Sequence, residues 1–367
     1  MALKRPRHAS GTLVILEHDS RILSDNPLGD PHRRRLGVWL PPQYDHGPAG
    51  RRFPVLYDLA GYTGSGLAHA NWKPFGDNVP ERAARLVGEG RMAPAIIVFP
   101  DCFTALGGNQ YINSSAIGRY ADYLTREIVP FVDREFRTLA GREHRGCFGK
   151  SSGGYGAIIH GMKYPQVWGA VANHSGDACF DMVYRGDWPN TLNELARFRR
   201  PGLRPGPYAA VQEAAREGLS EGLDDGRVRR FLDAVWKKEK LSIGEGHCLM
   251  NLCMAASYDP DPGAPLGFRL PFHLETGELL PRRWARWLRH DPVNLVDRYR
   301  DNLASLRGIY IDCGWRDQYN IHYGSRQLSQ RLAAAGIGHV YEEFDDNHSD
   351  IDYRMDASLP FLVQTLG

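Results

Sequence analysis

The sequence predicts an α/β architecture: a mostly parallel, twisted sheet with helices on both faces, interrupted by a largely helical insertion. Three observations carry this expectation. The short continuous apolar run "MAPAIIVFPD" has the length expected of a strand buried on both faces, and "HRGCFGK" reads as another buried strand. Helical segments alternate with such runs through the first 176 residues, the order expected of parallel strands joined by crossovers. The alternation lapses over residues 178–300 and then returns, so the sheet is expected to be completed after the insertion.

The elements follow in order. "TLVILEH", "RRLGVWLP" and "FPVLYDLA" are β-rich runs separated by the turn-forming "SDNPLGD" and "QYDHGPAGRR". "GYTGSGLAHANW" is a glycine-rich loop, and "PERAARLVGEG" a helix ending in glycine. "GRYADYLTREIVPFVDREF" spaces Tyr120, Leu124, Ile128 and Val132 four apart, a helical stripe that Pro130 must bend or interrupt. "HRGCFGK" (strand), "SSGGYGAIIHGMKYP" (helix, stopped before Pro165) and "WGAVANHSG" (strand) complete the first half. In the insertion, "TLNELARFRR", "YAAVQEAAREGL", "RVRRFLDAVWKKEKL" and "HCLMNLCMAA" read as helices, and "YDPDPGAPLGFRLPF" as a loop. The third of these helices puts Val228, Phe231, Leu232, Val235 and Trp236 on one face, the pattern of core packing. "LRGIYIDCG", "SRQLSQRLAAAGI", "HVYEEFD" and "DASLPFLVQTL" then resume the strand and helix order. Residues 1–177 and 301–367 are therefore expected to form one core, with 178–300 as a mainly helical cap.

Composition narrows the function. Forty-five basic and 43 acidic side chains in 367 residues leave a net charge of +2, which offers no electrostatic case for nucleic acid or an anionic membrane. No apolar stretch is long enough to span a bilayer, and the basic start lacks the apolar segment of a signal peptide, so a cytoplasmic location is expected. The six cysteines are scattered without a C-x-x-C pair, as small buried residues in a reducing compartment are, and no metal site is expected from their spacing.

The chemistry concentrates in "CFGKSSGGYG", Cys147 to Gly156. A phosphate-binding loop would need glycine at position 144, where His144 stands. The alternative pattern, G-x-S-x-G, is met by Gly149, Ser151 and Gly153, and it sits between a buried strand and a helix rich in small residues. Ser152 would need glycine at 150, where Lys150 stands, so Ser151 is the candidate nucleophile. A serine hydroxyl is weak at neutral pH and needs a base oriented by a third group. In α/β-hydrolases these follow in the order acid, then histidine. Asp317 lies beyond the strand "GIYIDCG" and His348 beyond "HVYEEFD", the positions where a sheet presents its catalytic edge. Asp312, Asp345 and Asp346 compete for the acid, and His174 and His322 for the base. An oxyanion would take the N–H of Ser152 and that of Tyr62, with Gly61 supplying the turn.

With these pieces placed, the chain resembles the putative esterase family of α/β-hydrolases. That family includes esterase D-like S-formylglutathione hydrolases, enterochelin esterases, feruloyl and acetyl-xylan esterases, and mycolyltransferases. The resemblance rests on "FPVLYDLAGYTG", "IIVFPD", "QYINSSAIGRYADYLTREIVPFVDREF", "GCFGKSSGGYGAIIHGMKYP" and "DCGWRDQYN…FDDNHSD", roughly residues 10–177 and 303–365. It implies a serine carboxylester hydrolase with Ser151, His348 and Asp317 as triad, or an acyltransferase using the same acyl-enzyme; a non-catalytic binding protein on the same fold is the third reading. It implies a small-molecule ester as partner and no cofactor, and leaves homo-oligomerisation open. Tyr111 falls where relatives line the mouth of the site, and with Gly61 and Trp315 it is a substrate-binding candidate. Two features depart from the family: many members have His-Gly where this chain has Ala60-Gly61, and the 178–300 insertion is long.

Overall fold

The computed structural model describes residues 8–200 and 224–367. Eight strands form the central sheet: β1 (Thr12–Asp19), β2 (Arg33–Leu40), β3 (Val55–Leu59), β4 (Ile96–Pro100), β5 (Arg145–Lys150), β6 (Ala170–His174), β7 (Gly308–Gly314) and β8 (Val340–Phe344). Their spatial order is β1-β2-β4-β3-β5-β6-β7-β8. β2 runs antiparallel to both β1 and β4; every pairing from β4 through β8 is parallel. β3, β4 and β6 are buried along their whole length, which explains the unbroken apolar run of β4, while Asp58 in β3 and Asn173 and His174 in β6 are buried polar residues. Alternate residues serve opposite faces. Val55, Tyr57 and Leu59 enter one hydrophobic cluster and Leu56 the other.

The helices flank this sheet. α1 (Val79–Gly88) starts with a reciprocal cap between Asn78 and Glu81. α2 (Val129–Glu135) is entered through a wide π turn at Tyr123–Ile128, immediately before Pro130. That turn is how the chain absorbs the missing N–H of Pro130 while keeping Tyr120, Leu124, Ile128 and Val132 buried together. α3 (Ser152–Lys163) follows β5 directly. Between β6 and β7 come α4 (Trp188–Ala196), α5 (Arg227–Val235), α6 (Ile243–Tyr258) and α7 (Pro281–Leu288). α8 (Ile321–Ala334) and α9 (Met355–Leu366) complete the fold. The helix expected at "YAAVQEAAREGL" lies outside the described residues.

Two expectations need correction. Trp236 does not join the core face of α5: it is 43% exposed, just past the helix end, and its Nε1–H donates to the Ala105 carbonyl at 2.7 Å. Its polar edge outweighs full burial there. α7 was not anticipated, because "PRRWARWL" offers only Trp284 and Trp287 as an apolar stripe among arginines. Both tryptophans are buried, and they join the same cluster as Phe231 and Leu252.

Register sets the geometry of the site. Leu59 pairs with Gly149, Lys150 with His174, His174 with Asp312, and Gly314 with Phe344. The parallel strands thus end along one edge, and the segments after β3, β5, β6, β7 and β8 emerge side by side there.

Candidate active site

Ser151 stands at the corner between β5 and α3 with φ 84° and ψ −115°. That backbone region is strained for any side chain and costs about 1–3 kcal/mol. The corner is locked by Ser151 N–H donating to the His174 carbonyl at 3.0 Å and Tyr155 N–H to the Ser151 carbonyl at 2.8 Å. A Cβ at Gly149 would lie 2.2 Å from the Leu59 carbonyl oxygen, and one at Gly153 only 1.8 Å from it. Both glycines are therefore required by the close approach of β3.

His348 Nε2 lies 3.0 Å from Ser151 Oγ, and its Nδ1 lies 2.7 Å from Asp317 Oδ2. A carboxylate only accepts, so Nδ1 carries the proton and Nε2 presents its lone pair to the serine. Asp317 is buried; its Oδ1 accepts from Tyr319 N–H at 2.9 Å. The His348 backbone is held by Gln318 Oε1, which accepts its N–H at 2.9 Å, and by Lys150 Nζ, which donates to its carbonyl at 3.2 Å. The Tyr319 ring meets the imidazole edge-on at 4.9 Å between centroids.

The competing pair is occupied elsewhere. Asp312 Oδ1 bonds His174 Nδ1 at 2.6 Å, and His174 Nε2 bonds Ser358 Oγ on α9 at 2.8 Å. All three side chains are buried, and Arg354 Nε donates to Asp312 Oδ2 at 2.9 Å. His322 lies in the first turn of α8, where burial lowers its pKa. Asp345 and Asp346 engage Arg316 and Tyr353.

Ser152 is the first residue of α3, so its N–H is one of the donors a helix start leaves open. The Ala60-Gly61-Tyr62 loop passes beside it: a Cβ on Gly61 would lie 3.2 Å from the Lys150 carbonyl and 3.6 Å from Ser151 Cβ. Among the described residues, neither Tyr62 N–H nor Ser152 N–H has a hydrogen-bond partner. The loop is fixed by Thr63 N–H to the Gly107 carbonyl at 2.9 Å and by Tyr62 Oη–H to the Leu106 carbonyl at 2.9 Å.

Tyr111 sits behind this loop and is buried. Its Oη–H donates to the Ala60 carbonyl at 2.6 Å, and its ring packs where a Cβ on Gly156 of α3 would come within 2.6 Å. Its own carbonyl accepts from His160 Nε2–H at 2.8 Å, and His160 Nδ1 accepts from Trp168 Nε1–H at 3.0 Å. One acceptor and one donor of fixed sense thus hold His160 neutral, and burial lowers its pKa to about 4.

A cavity of about 490 Å³ opens onto Ser151. Gly61, Tyr62, Ser152 and His348 line its core side; Asp177, Tyr184, Ile243, His247, Met250 and Tyr319 line the remainder. Of the substrate-binding candidates, only Gly61 lies on its wall. Tyr111 supports the loop from behind, and Trp315 is a 48% exposed surface residue stacked near Arg316. Asp177, Tyr184 and His247 were not singled out from sequence. Asp177 had a usable signal, since it follows β6 at the same edge as the other strand-end residues. Among the described residues no cluster of three potential metal ligands occurs, and no helix is long and apolar enough to cross a membrane.

Comparison with known proteins places this geometry in a family. Residues 31–358 match the model of the family described as "Putative esterase". Esterase Rv1288 of Mycobacterium tuberculosis is 31% identical over 149 residues, a match spanning 39% of this chain and 29% of that protein. The S-formylglutathione hydrolase of Agrobacterium tumefaciens superposes with a TM-score of 0.55 at 18% identity, covering 98% of this chain and 96% of that one. A ferulic acid esterase of Anaeromyces mucronatus, solved with ferulic acid, gives a TM-score of 0.54 at 16% identity, covering 100% and 94%. At such identities the two structures speak to the fold, which they share over nearly their whole length. The two structures carry the α/β-hydrolase fold; the family match extends from β2 into α9, and on that ground the chain belongs to the putative esterase family.

Proposed function

We propose that the protein hydrolyses small-molecule carboxylic esters through an acyl-enzyme on Ser151. Ser151 Oγ attacks the ester carbonyl as His348 Nε2 takes its proton, and Asp317 steadies the imidazolium that forms. The N–H groups of Tyr62 and Ser152 receive the negative charge that develops on the carbonyl oxygen. Collapse of the tetrahedral intermediate expels the alcohol, which takes the proton back from His348. Water then gives a proton to His348 and attacks the acyl-enzyme; a second collapse frees the acid and restores Ser151. No step calls on a metal or an organic cofactor. Residues 178–300 act as a cap in this reading, since Ile243, His247 and Met250 at the start of α6 share the cavity wall with the nucleophile.

The observation that carries the reading is the hydrogen-bonded series from Ser151 through His348 to Asp317, at 3.0 and 2.7 Å, opening into a cavity. A fluorophosphonate probe should label Ser151, and Ser151→Ala should abolish turnover of p-nitrophenyl acetate except for the background left by the oxyanion donors. A folded Ser151→Ala variant with near-wild-type turnover would sink the proposal.

A further inference from the structure

Asp177 is a buried acid on the wall of the same cavity, 6% exposed and three residues beyond the end of β6. Both of its protein donors reach one oxygen: Gln110 Nε2–H at 2.9 Å and Tyr184 Oη–H at 2.8 Å each bond Oδ2. Those donors are themselves held in place. Gln110 Nε2 lies 2.8 Å from Tyr258 Oη, and the hydroxyls of Tyr184 and Tyr258 are 3.2 Å apart. Oδ1 receives no donor among the described residues and is not sealed in the interior, and Asp177 lies on the cavity wall. The nearby cationic and imidazole groups are directed elsewhere: Lys150 Nζ to the His348 carbonyl, and His247 Nδ1 to Asp187.

A carboxylate offers about four lone-pair positions; those of Oδ2 take Gln110 and Tyr184, and those of Oδ1 are left to whatever occupies the cavity. Satisfying Gln110 and Tyr184 needs only one neutral acceptor, which an amide would supply. The second oxygen is thus surplus to the fold and placed where a substrate must lie. We propose that Asp177 is a specificity residue whose Oδ1 accepts a hydrogen bond from a hydroxyl group carried by the ester, so that hydroxylated esters are preferred. The assignment rests on the serine esterase reading above. A hydroxyl suits the site better than an ammonium group. The neighbouring His348 turns cationic during turnover, and a second cation beside it would be repelled.

The test uses matched ester pairs that differ only in a free hydroxyl or its methyl ether at one carbon, walked along the acyl chain in one series and along the alcohol in another. For the wild-type enzyme, kcat/KM should favour the hydroxyl ester by about 10- to 100-fold at one position at least, the value of a hydrogen bond to a charged group. In Asp177→Asn the amide oxygen should turn to Gln110 and Tyr184 and its NH2 to the cavity, a donor in place of an acceptor. The preference should then vanish or reverse toward the methyl ether. A wild-type enzyme indifferent at every position overturns the assignment without any variant, as does an Asp177→Asn enzyme that keeps the preference. Probe labelling of wild-type Ser151 is scored separately. Absence of labelling refutes the esterase reading, whereas a labelled enzyme without hydroxyl preference refutes the role of Asp177 alone.

Discussion

Replacing Tyr111 by phenylalanine removes one hydroxyl and leaves the ring against Gly156. The lost bond is a 2.6 Å donation to the Ala60 carbonyl, and Ala60 is buried. An acceptor left unmet in the interior costs about 1–3 kcal/mol. That cost has two outlets. If the Ala60-Gly61-Tyr62 loop stays in place, the whole cost appears as lost stability. If the loop moves to find another donor, part of the cost is relieved and the Tyr62 N–H leaves its position opposite Ser152. Complete loss of one oxyanion donor slows turnover by about 10²–10³. A loosened loop should fall short of that ceiling, at about 3- to 30-fold in kcat. KM should barely change, because the donor acts on charge that develops only in the transition state. Urea unfolding and steady-state kinetics with p-nitrophenyl acetate measure both outlets. A variant with wild-type stability and wild-type kcat would refute the reasoning. A raised KM with unchanged kcat would refute it differently, by making Tyr111 a substrate contact.

Two further expectations follow from the same hydrogen-bond senses. Asp317→Asn should turn His348 to the tautomer that cannot accept from Ser151, lowering kcat for p-nitrophenyl acetate by about 10⁴ while the folded signal in circular dichroism persists. His160 is held neutral with its pKa lowered to about 4, below the unfolded value, so its contribution is fully present above about pH 6.5 and is lost as pH falls toward 4. The full loss is about 3 kcal/mol, and His290, lowered by burial to about 3, adds to it in the same direction. In urea unfolding between pH 6.5 and 4, His160→Gln should flatten the slope of stability against pH by up to about 1.4 kcal/mol per pH unit, whatever it does to the absolute level. An unchanged slope would show that His160 is not held neutral.

The parts of the molecule legible in the sequence are those governed by local rules. β4 reads as an unbroken apolar run, and the elbow is announced by Gly149 and Gly153, which the carbonyl of Leu59 leaves no room to replace. Ser151, Asp317 and His348 meet because each follows a strand at one edge, and the ends of those strands could be located from their apolar runs. Long-range accommodation was not legible. Tyr111 was read as part of the site mouth, but Gln110 and Tyr111 both adopt left-handed backbone, φ 55° and 57°, which turns the ring inward onto α3. No residue propensity signals such a pair. Trp236 followed the helical stripe of α5 until the helix ended one residue short of it. The hydrogen-bonded setting of Asp177 was not legible because Gln110, and the Tyr258 that holds Gln110 and Tyr184, come from distant segments that only the folded chain brings to it.

The separation of 197 positions from Ser151 to His348 also bears on how the protein comes to life. The elbow is built by β3, β5, α3 and the end of β6, all encoded before residue 175. The base arrives after α8 and β8, once the whole insertion has been made. During synthesis, when domains fold from their leading end, a growing chain would carry a shaped but unactivated serine until its last strand docks beside β7. On the proposed mechanism such a chain is latent until β8 is in place, and its reactivity is a readout of that docking. In refolding, capture of Ser151 by a fluorophosphonate would therefore time the closing of the final strand pair rather than the birth of the elbow.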